Sequence, residues 1–368
     1  MHVVDNFKLS DYGFTILQIE TNDVCNMRCS FCPYSLRKNN NTTLPEDLVF
    51  NILDSIDPND EKLEYICFSH FNEPLLDTRI FRFISYAKKN GFKVLIITNG
   101  LLFGSKEISE SLLDAEPKYI KISFQTISDK TFKTRGATLP FTTYKSNVFN
   151  FLKLALDKKC KSEITVDIAC NFVNKRGKAI KTALGLEYGD PSVPDSLAEI
   201  QPDLMKFLKE LHAHDPRFYF DYDGIARTLN KASSNYLDQV GILLANNIRL
   251  KIKKFIFGRR LSSFHPVRSG KPCGTRILGI RSDGTVVPCC LSYDDKLILG
   301  NIKENSLSSI LERNKTLIKL IKDVGGDKLP YSCKVCQGAP TKRGALFLNT
   351  LRPLKRKLSG SSNFKEGV

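Results

Sequence analysis

The chain has 368 residues, of which 42% are hydrophobic and 26% are charged, a composition typical of a globular protein. No run approaches the roughly 20 apolar residues that span a bilayer, and the N-terminus lacks a secretory signal, so the sequence predicts a cytoplasmic protein. The formal net charge of +16 is concentrated in residues 249–268 and 341–368. Such basic blocks attract phosphates, anionic lipid headgroups or acidic ligands, although a solvated surface is the commoner outcome.

Short β-rich runs alternate with helical patterns through the first two-thirds of the chain. Strands that alternate with helices imply right-handed βαβ units and a parallel sheet. Six such repeats favour an α/β fold of the partial (β/α)6 barrel type, in which the loops after the strands build the active site. The sequence predicts the six strands at residues 14–20, 65–69, 93–98, 119–125, 164–171 and 218–221.

The pattern changes beyond about residue 255, where turn residues, cysteines and short β-runs replace the repeat. We therefore predict a barrel domain over residues 1–255 and a small cysteine-rich α+β domain over residues 256–340. The basic residues 341–368 are predicted to form a flexible tail.

Cysteines are unusually frequent, and their number of eleven is odd, so they cannot all form disulfides. In a reducing compartment, clustered cysteines indicate a metal site or catalysis. Cys67, Cys160 and Cys170 lie alone in apolar surroundings, which predicts buried small side chains. The others form one group near the start and one near the end of the chain: Cys25, Cys29, Cys32, Cys273, Cys289, Cys290, Cys333 and Cys336.

The first group, Cys25, Cys29 and Cys32, follows the first predicted strand directly. Soft sulfur ligands select iron–sulfur clusters or zinc. A structural zinc site takes four ligands, and no fourth cysteine or histidine is close by in sequence. Three ligands on a four-iron cluster leave one iron open to substrate, as a catalytic centre requires. The spacing alone favours iron–sulfur over zinc without deciding between them.

The Cys-x3-Cys-x2-Cys pattern, with Phe31 before its last cysteine, resembles the radical S-adenosylmethionine (SAM) superfamily. In that family the open iron of a [4Fe-4S] cluster chelates SAM. Electron transfer cleaves SAM to methionine and a 5′-deoxyadenosyl radical, which abstracts a hydrogen atom. The resemblance implies that the three cysteines hold this cluster and that Phe31 packs near the adenine of SAM.

Further segments resemble the family in the same order along the chain. Phe71-Asn72-Glu73-Pro74 stands where the family has Gly-Gly-Glu-Pro, which binds the SAM amino group, and Asn72 departs from that pattern. Thr98-Asn99-Gly100 follows the third strand, and the resemblance implies that Ser123 and Arg135 lie near the ribose and carboxylate of SAM. The SAM site implied by these matches consists of Phe31, Asn72, Glu73, Pro74, Asn99, Ser123 and Arg135.

The second cysteine group resembles the SPASM/Twitch extension that follows many radical SAM barrels. A zinc ribbon is the alternative for four cysteines in two pairs. Because no cysteine follows Cys336, the resemblance implies one auxiliary [4Fe-4S] cluster, the shorter Twitch-like arrangement. Its implied ligands are Cys273, Cys289, Cys333 and Cys336.

Cys290 is predicted to stay free of the auxiliary cluster. Cys289 has the family spacing after Gly284, and adjacent residues of an extended run point to opposite sides. Cys290 is then either a buried small residue or a catalytic hydrogen-atom donor, as an epimerase would need.

The resemblance implies hydrogen abstraction from a carbohydrate or aminocyclitol-like substrate, leading to oxidation or epimerisation. Modification of a peptide or protein side chain is the alternative, disfavoured because no peptide-recognition domain is recognisable before residue 12. Nucleic-acid modification ranks third: Phe255, Phe257 and Phe264 lie among basic residues, but no RNA-binding module is recognisable. A non-enzymatic electron carrier would need no Glu73-Pro74 turn.

The expected partners are a flavodoxin or ferredoxin-type reductant and a substrate that is phosphorylated, nucleotide-linked or peptidic. The basic residues of the tail could also make weak peripheral contact with an anionic membrane. They alternate with leucines between Leu351 and Leu358, as Arg352, Lys355, Arg356 and Lys357.

Overall fold

A computed structural model describes residues 6–37, 41–172, 179–180, 182–186, 193–234, 239–254, 264–293 and 295–358, with side chains of 232–234 and 352–358 outside the description. The described strands form one ten-stranded sheet. They are β1 (Ile16–Ile19), β2 (Tyr65–Cys67), β3 (Val94–Thr98), β4 (Tyr119–Gln125), β5 (Glu163–Cys170), β6 (Gln239–Ala245), β7 (Ile248–Lys254), β8 (Ile277–Ile280), β9 (Thr285–Val287) and β10 (Gly300–Asn301).

Helices follow most of the parallel strands along the chain, as the alternating pattern predicted. The described α-helices are α1 (Glu46–Asp54), α2 (Ile80–Lys89), α3 (Lys106–Ala115), α4 (Asp129–Phe132), α5 (Phe141–Asp157), α6 (Leu197–His214), α7 (Tyr222–Ser234), α8 (Leu307–Arg313), α9 (Lys315–Lys319), α10 (Tyr331–Cys336) and α11 (Lys342–Leu358). A π-helical segment, Leu320–Val324, continues α9.

The strand order is β10-β9-β8-β1-β2-β3-β4-β5-β7-β6. Parallel pairing runs without interruption from β8 through β1–β5 to β7, and only β6, β9 and β10 are antiparallel to their neighbours. The sheet therefore stays open between β10 and β6, as in a partial barrel. The predicted α/β fold class is confirmed.

The outer face of the sheet is apolar because it packs against the helices. On β4 the outward residues Ile120, Ile122 and Phe124 have no exposed surface. They belong to one continuous core cluster with helix residues such as Phe83 of α2 and Tyr144 of α5. Burying such side chains stabilises the fold by roughly 1.5–3 kcal/mol each.

The opposite face, which we call the inner face, carries the polar and charged strand residues. Register partners in neighbouring strands share a face, so Gln18, Cys67 and Gly279 lie side by side, as do Lys121, Thr165 and Arg249. The inner face as defined by this register includes Gln18, Cys67, Lys121, Thr165, Asp167, Arg249, Lys251, Lys253 and Gly279, together with the apolar Leu95 and Ile97 of β3.

The predicted strand at residues 218–221 was wrong. Phe218 and Phe220 are buried and Tyr219 is exposed, so the alternation is real, but this segment pairs with no strand and joins α6 to α7. The sixth parallel strand is β7, which pairs with β5. Its inner-face lysines and arginine make it resemble a solvated basic block, and this hid the strand in the sequence.

The C-terminal region is joined to the barrel through the sheet. β8 pairs in parallel with β1 over four residues, so cysteine-rich sequence after residue 264 extends the same sheet. The predicted boundary at residues 255–256 lies at the edge of the described residues, since 255–263 fall outside them. Residues 342–358, predicted as flexible tail, form α11, whose side chains beyond Leu351 are not described. No described helix is long and apolar enough to cross a membrane.

Candidate iron–sulfur and SAM site

The first cysteine loop follows β1 and is held by backbone bonds to the segment after α4. Arg28 N donates to Arg135 O at 3.0 Å, and Ser30 N donates to Thr134 O at 2.8 Å. Gly136 has φ of 56°, and a Cβ there would lie 3.0 Å from the Arg28 Cβ. A glycine is needed at 136 because both the left-handed backbone and the close approach disfavour a side chain.

Tyr34, which the sequence analysis missed, fixes both ends of this loop. Its hydroxyl accepts a hydrogen bond from Cys25 N at 3.0 Å and donates one to Asp23 O at 3.1 Å. Its backbone N–H donates to the Cys32 Sγ at 3.4 Å. The tyrosine thus ties the first and last cysteines together across the loop.

A buried ion pair, also missed, anchors the loop to β1. Arg37 donates to both oxygens of Glu20, at 2.5 and 2.9 Å, and the Glu20 side chain is fully buried. Phe71 N and Ser282 N donate to the same carboxylate at 3.3 Å each. Glu20 therefore links the cysteine loop, the loop after β2 and the C-terminal region. In the sequence, only the position of Glu20 just after β1 indicates this anchoring role.

Cys25, Cys29 and Cys32 share one pocket. Burial raises the pKa of Cys25 to about 11 and of Cys32 to about 12, and the neighbouring cysteines raise both further. Cys29 and Cys32 pack with Phe31 against Ala169 and Val193. Thiols with a raised pKa become thiolates only when a cation stabilises the negative charge. The iron of an iron–sulfur cluster supplies that cation. Among the described residues, no three His, Cys, Asp or Glu side chains are grouped to hold a single metal ion directly.

Glu73 is buried at the turn after β2, with three donors on its carboxylate. Oε1 accepts from Thr98 Oγ1 at 2.6 Å and from Leu75 N at 3.3 Å, while Oε2 accepts from Asn99 N at 2.7 Å. Burial nevertheless raises the pKa of Glu73 to about 7. Pro74 begins the short helix that follows. The carboxylate is fixed in place and forms no ion pair with any described residue, which fits an ammonium ligand.

The two asparagines of the implied SAM site orient the surrounding loops. Asn99 Nδ2 donates to Asn26 Oδ1 at 2.7 Å and lies 3.9 Å from the Cys25 Sγ. Asn72 Oδ1 accepts from His70 N at 3.0 Å, and its buried Nδ2 has no partner in the described structure. Asn72 thus keeps the turn closed where the family has glycine.

Arg135 is buried and its guanidinium binds protein groups. It donates to Ser123 O at 2.5 Å and to Phe124 O at 2.6 Å, and lies 3.1 Å from the Met27 Sδ. Burial opposes its charge, but Cys29 and Tyr144 together outweigh burial and raise the pKa of Arg135. Ser123 contributes its carbonyl here, and its side chain is half-buried. Whether either residue contacts SAM stays a prediction.

Two cysteines of the second group, Cys273 and Cys336, line a cavity of about 370 Å³ in the C-terminal region, together with Lys271, Pro272 and Gln337. Burial, with smaller contributions from Cys289, Cys273 and Cys333, raises the pKa of Cys336 to about 12. The four implied ligands are thus close enough to act on one another, and their joint binding of an auxiliary cluster stays a prediction.

The reason given for separating Cys289 from Cys290 was wrong. β9 ends at Val287, and both cysteines lie in a turn where their thiols hydrogen-bond to each other. The bond from Cys290 lowers the pKa of Cys289 to about 7 and raises that of Cys290. The more acidic thiol, Cys289, is the one implied as ligand, so the assignment stands as a prediction on a different physical basis.

Lys322, also missed, approaches the auxiliary cysteines from the π-helical segment. Its Nζ donates to Gly13 O at 2.6 Å and to Thr275 O at 2.5 Å. Burial lowers its pKa to about 8, although Cys273 and Cys289 partly oppose this. A half-buried cation thus faces these thiols.

His70 connects the two sites. Its Nε2 lies 3.2 Å from the Cys290 carbonyl oxygen, and its ring stacks beside Phe71. Burial lowers the pKa of His70 to about 3, so the imidazole stays neutral and holds the C-terminal turn against the loop after β2.

Comparison with known proteins agrees with this geometry. The profile of the radical SAM superfamily matches residues 19–169, and that of the SPASM iron–sulfur cluster-binding domain matches residues 272–337. No curated protein sequence matches the chain.

Similar solved structures include anSMEcpe with bound AdoMet, at 17% identity and TM-score 0.47, covering 95% of this chain and 96% of that one. BtrN in complex with AdoMet and 2-DOIA has 15% identity and TM-score 0.44, with coverage of 84% and 87%. Streptococcus suis SuiB bound to the precursor peptide SuiA has 16% identity and TM-score 0.47, with coverage of 89% and 72%.

These two domains imply a SAM-binding [4Fe-4S] cluster and auxiliary iron–sulfur binding, for which the two cysteine groups provide ligands of the right type. An enzyme of this kind requires a reductant and a substrate. The chain is a radical SAM superfamily enzyme with a C-terminal SPASM domain.

Proposed function

We propose that the enzyme abstracts hydrogen from a carbohydrate or aminocyclitol-like substrate and thereby oxidises or epimerises it. SAM bound at the open iron would supply the hydrogen-abstracting radical. A flavodoxin or ferredoxin-type protein would supply the electron.

The observation that carries this proposal is a set of buried polar atoms without partners on β1, at the end of β4 and in the loop after β2. They include Gln18 Oε1 on the inner face, Gln125 Oε1 at the end of β4, and Asn72 Nδ2. A buried polar group without a partner costs about 1–3 kcal/mol, which a ligand rich in hydroxyl and amino groups would offset. An aliphatic peptide side chain would leave these atoms unsatisfied.

The residues of the SAM site would bind and orient in this scheme. Glu73 would accept from the SAM amino group, because Thr98 and Asn99 hold its carboxylate in one orientation. Arg135 holds the end of β4 against the cysteine loop and places positive charge beside Cys29. Tyr34 and Phe31 exclude water, since both are almost completely buried.

Cys290 supports oxidation over epimerisation. Its S–H bonds to Cys289, a predicted cluster ligand, and its raised pKa keeps it protonated. A thiol that donates its hydrogen bond to a neighbouring sulfur is poorly placed to donate a hydrogen atom to a substrate.

Deuterium transfer tests the proposed substrate class. The reconstituted enzyme, reduced in the presence of SAM, should incorporate deuterium from per-deuterated sugars or aminocyclitols into 5′-deoxyadenosine. Transfer from a deuterated peptide, with none from sugars or aminocyclitols, would contradict the proposal and establish peptide modification.

A further inference from the structure

Part of the basic block noted in the sequence is a strand whose cations share one face. β7 alternates buried residues, Ile248, Leu250 and Ile252, with residues in partly or fully exposed positions. The register with β5 places the second set on the inner face. This set consists of Arg249, Lys251 and Lys253.

Two further charged groups on adjacent strands face the same space. Lys121 of β4 is half-buried and has no hydrogen-bond or ion-pair partner within the described residues. Asp167 of β5 is 3% exposed; its Oδ2 accepts from Lys253 Nζ at 2.5 Å, and its buried Oδ1 has no partner. Lys121 lies within electrostatic range of Lys253, Asp167 and Lys251.

The group lies next to the first cysteine loop. Lys253 is the register partner of Ala169, so their Cα atoms are about 5 Å apart. Ala169 packs against Phe31, with Cys29 and Cys32 at the same contact. A ligand held by these lysines would therefore lie beside the residues that are predicted to hold the cluster.

An uncompensated cation in a half-buried position costs free energy unless an anion accompanies it. The three lysines exceed Asp167 by two positive charges. A carboxylate would neutralise only half of that surplus. A phosphate monoester carries about 1.5 to 2 negative charges at neutral pH and offers three acceptor oxygens.

We propose that Lys121, Lys251 and Lys253, with Asp167 orienting Lys253, form a binding site for a phosphoryl group of the substrate. The inference rests on the proposed function only in that the phosphoryl group belongs to the same substrate. Lysine suits this role because it binds phosphate as a point charge. Arg249 lies on the same face of β7, two residues before Lys251, and would bind a second phosphoryl group.

The test is calorimetric titration of the reconstituted full-length enzyme with glycerol phosphate, inorganic pyrophosphate and acetate. Lys251→Ala and Lys121→Met should each weaken phosphoryl binding about tenfold. Lys251 is exposed, so its replacement leaves the fold intact. Lys106→Ala is the matched control, because it removes the same charge from an exposed position on α3 and should change nothing.

Tighter binding of glycerol phosphate than pyrophosphate supports a sugar phosphate, and the reverse supports a nucleotide-linked sugar. Equal binding of acetate, or equal loss in Lys106→Ala, overturns the proposal. A loss of SAM affinity with phosphoryl affinity unchanged also overturns it, since the lysines would then serve SAM. Phosphoryl binding is measured without turnover, so it can be observed even if no deuterium is transferred from sugars. The two experiments therefore test this inference and the proposed function separately.

Discussion

The two cysteine groups are built in different ways. Cys25, Cys29 and Cys32 lie within eight residues, and their loop is fixed by Tyr34 and by the buried pair of Glu20 and Arg37. The second group comes from three segments, around residues 273, 289 and 333–336, of which the first and the last line one cavity.

This difference indicates how each site responds to loss of its cluster. We expect the first loop to keep its hydrogen bonds to Arg135 and Asp23 when the thiols bind no iron, because those bonds do not involve the thiols. The second group depends on bonds between separate segments, such as Cys273 N to Ile321 O, so we expect cluster binding to contribute more to its order. The following variants test this difference between the two cysteine groups.

The largest effect is expected from replacing Cys25, Cys29 and Cys32 together by Ala. SAM cleavage should be lost completely, because no cluster remains to bind SAM. The iron content should fall from about eight to about four atoms per chain, as the auxiliary cluster survives. Iron and sulfide analysis with electron paramagnetic resonance measures this. Full iron retention would show that these cysteines are not cluster ligands.

Single substitutions in the second group come next. Cys289→Ala should lose or damage the auxiliary cluster, because Cys289 has the more acidic thiol and acts electrostatically on Cys333 and Cys336. Cys290→Ala is the matched control and should retain both clusters, as judged by iron content and the visible spectrum. The opposite pattern would shift the ligand assignment by one residue.

Glu20→Ala should destabilise the protein by about 3–5 kcal/mol, because it leaves Arg37 buried without its partner. Denaturant unfolding of the cluster-free protein measures this change. Glu46→Ala breaks an ion pair with Arg82, whose side chain is 69% exposed, and should cost at most about 1 kcal/mol. Equal effects of the two substitutions would show that Glu20 does not anchor the first loop.

Glu73→Ala should weaken SAM binding by about tenfold or more, since it removes the charge-assisted acceptor for the SAM amino group. Equilibrium binding of SAM to the reconstituted enzyme provides the measurement. Glu61→Ala, which removes an exposed carboxylate from the segment before β2, should leave the affinity unchanged. If Glu73→Ala binds SAM normally, the turn after β2 does not have its family role.

The sequence correctly predicted those strands whose residue pattern matches their position in the folded sheet. Five of the six strand positions follow from apolar periodicity and turn residues. β7 was missed although its apolar residues alternate with cations, because those cations were interpreted as part of a solvated basic block.

Site prediction had the same limit. The cysteines and Glu73 stand in recognisable short patterns, whereas Glu20, Tyr34 and Lys322 act through contacts that only the fold creates. The turn at Cys289 and Cys290 shows this most directly, since an extended backbone was assumed where the strand ends at Val287.

The smallest expected effect is a pH dependence of phosphoryl binding on the inner face. Burial and the charge of Lys253 lower the pKa of Lys121, with Asp167 and Cys67 opposing the shift and Lys251 adding to it.

Lys121 should therefore lose its proton at a lower pH than an ordinary lysine, and the affinity for glycerol phosphate should fall as the alkaline pH range is entered. The monoester is already doubly charged there, since its second pKa is about 6. The decrease cannot exceed the roughly tenfold effect of removing the lysine. Lys121→Arg keeps its charge throughout and should bind with a flat profile. A wild-type profile as flat as that of the arginine variant would show that Lys121 does not contact the ligand.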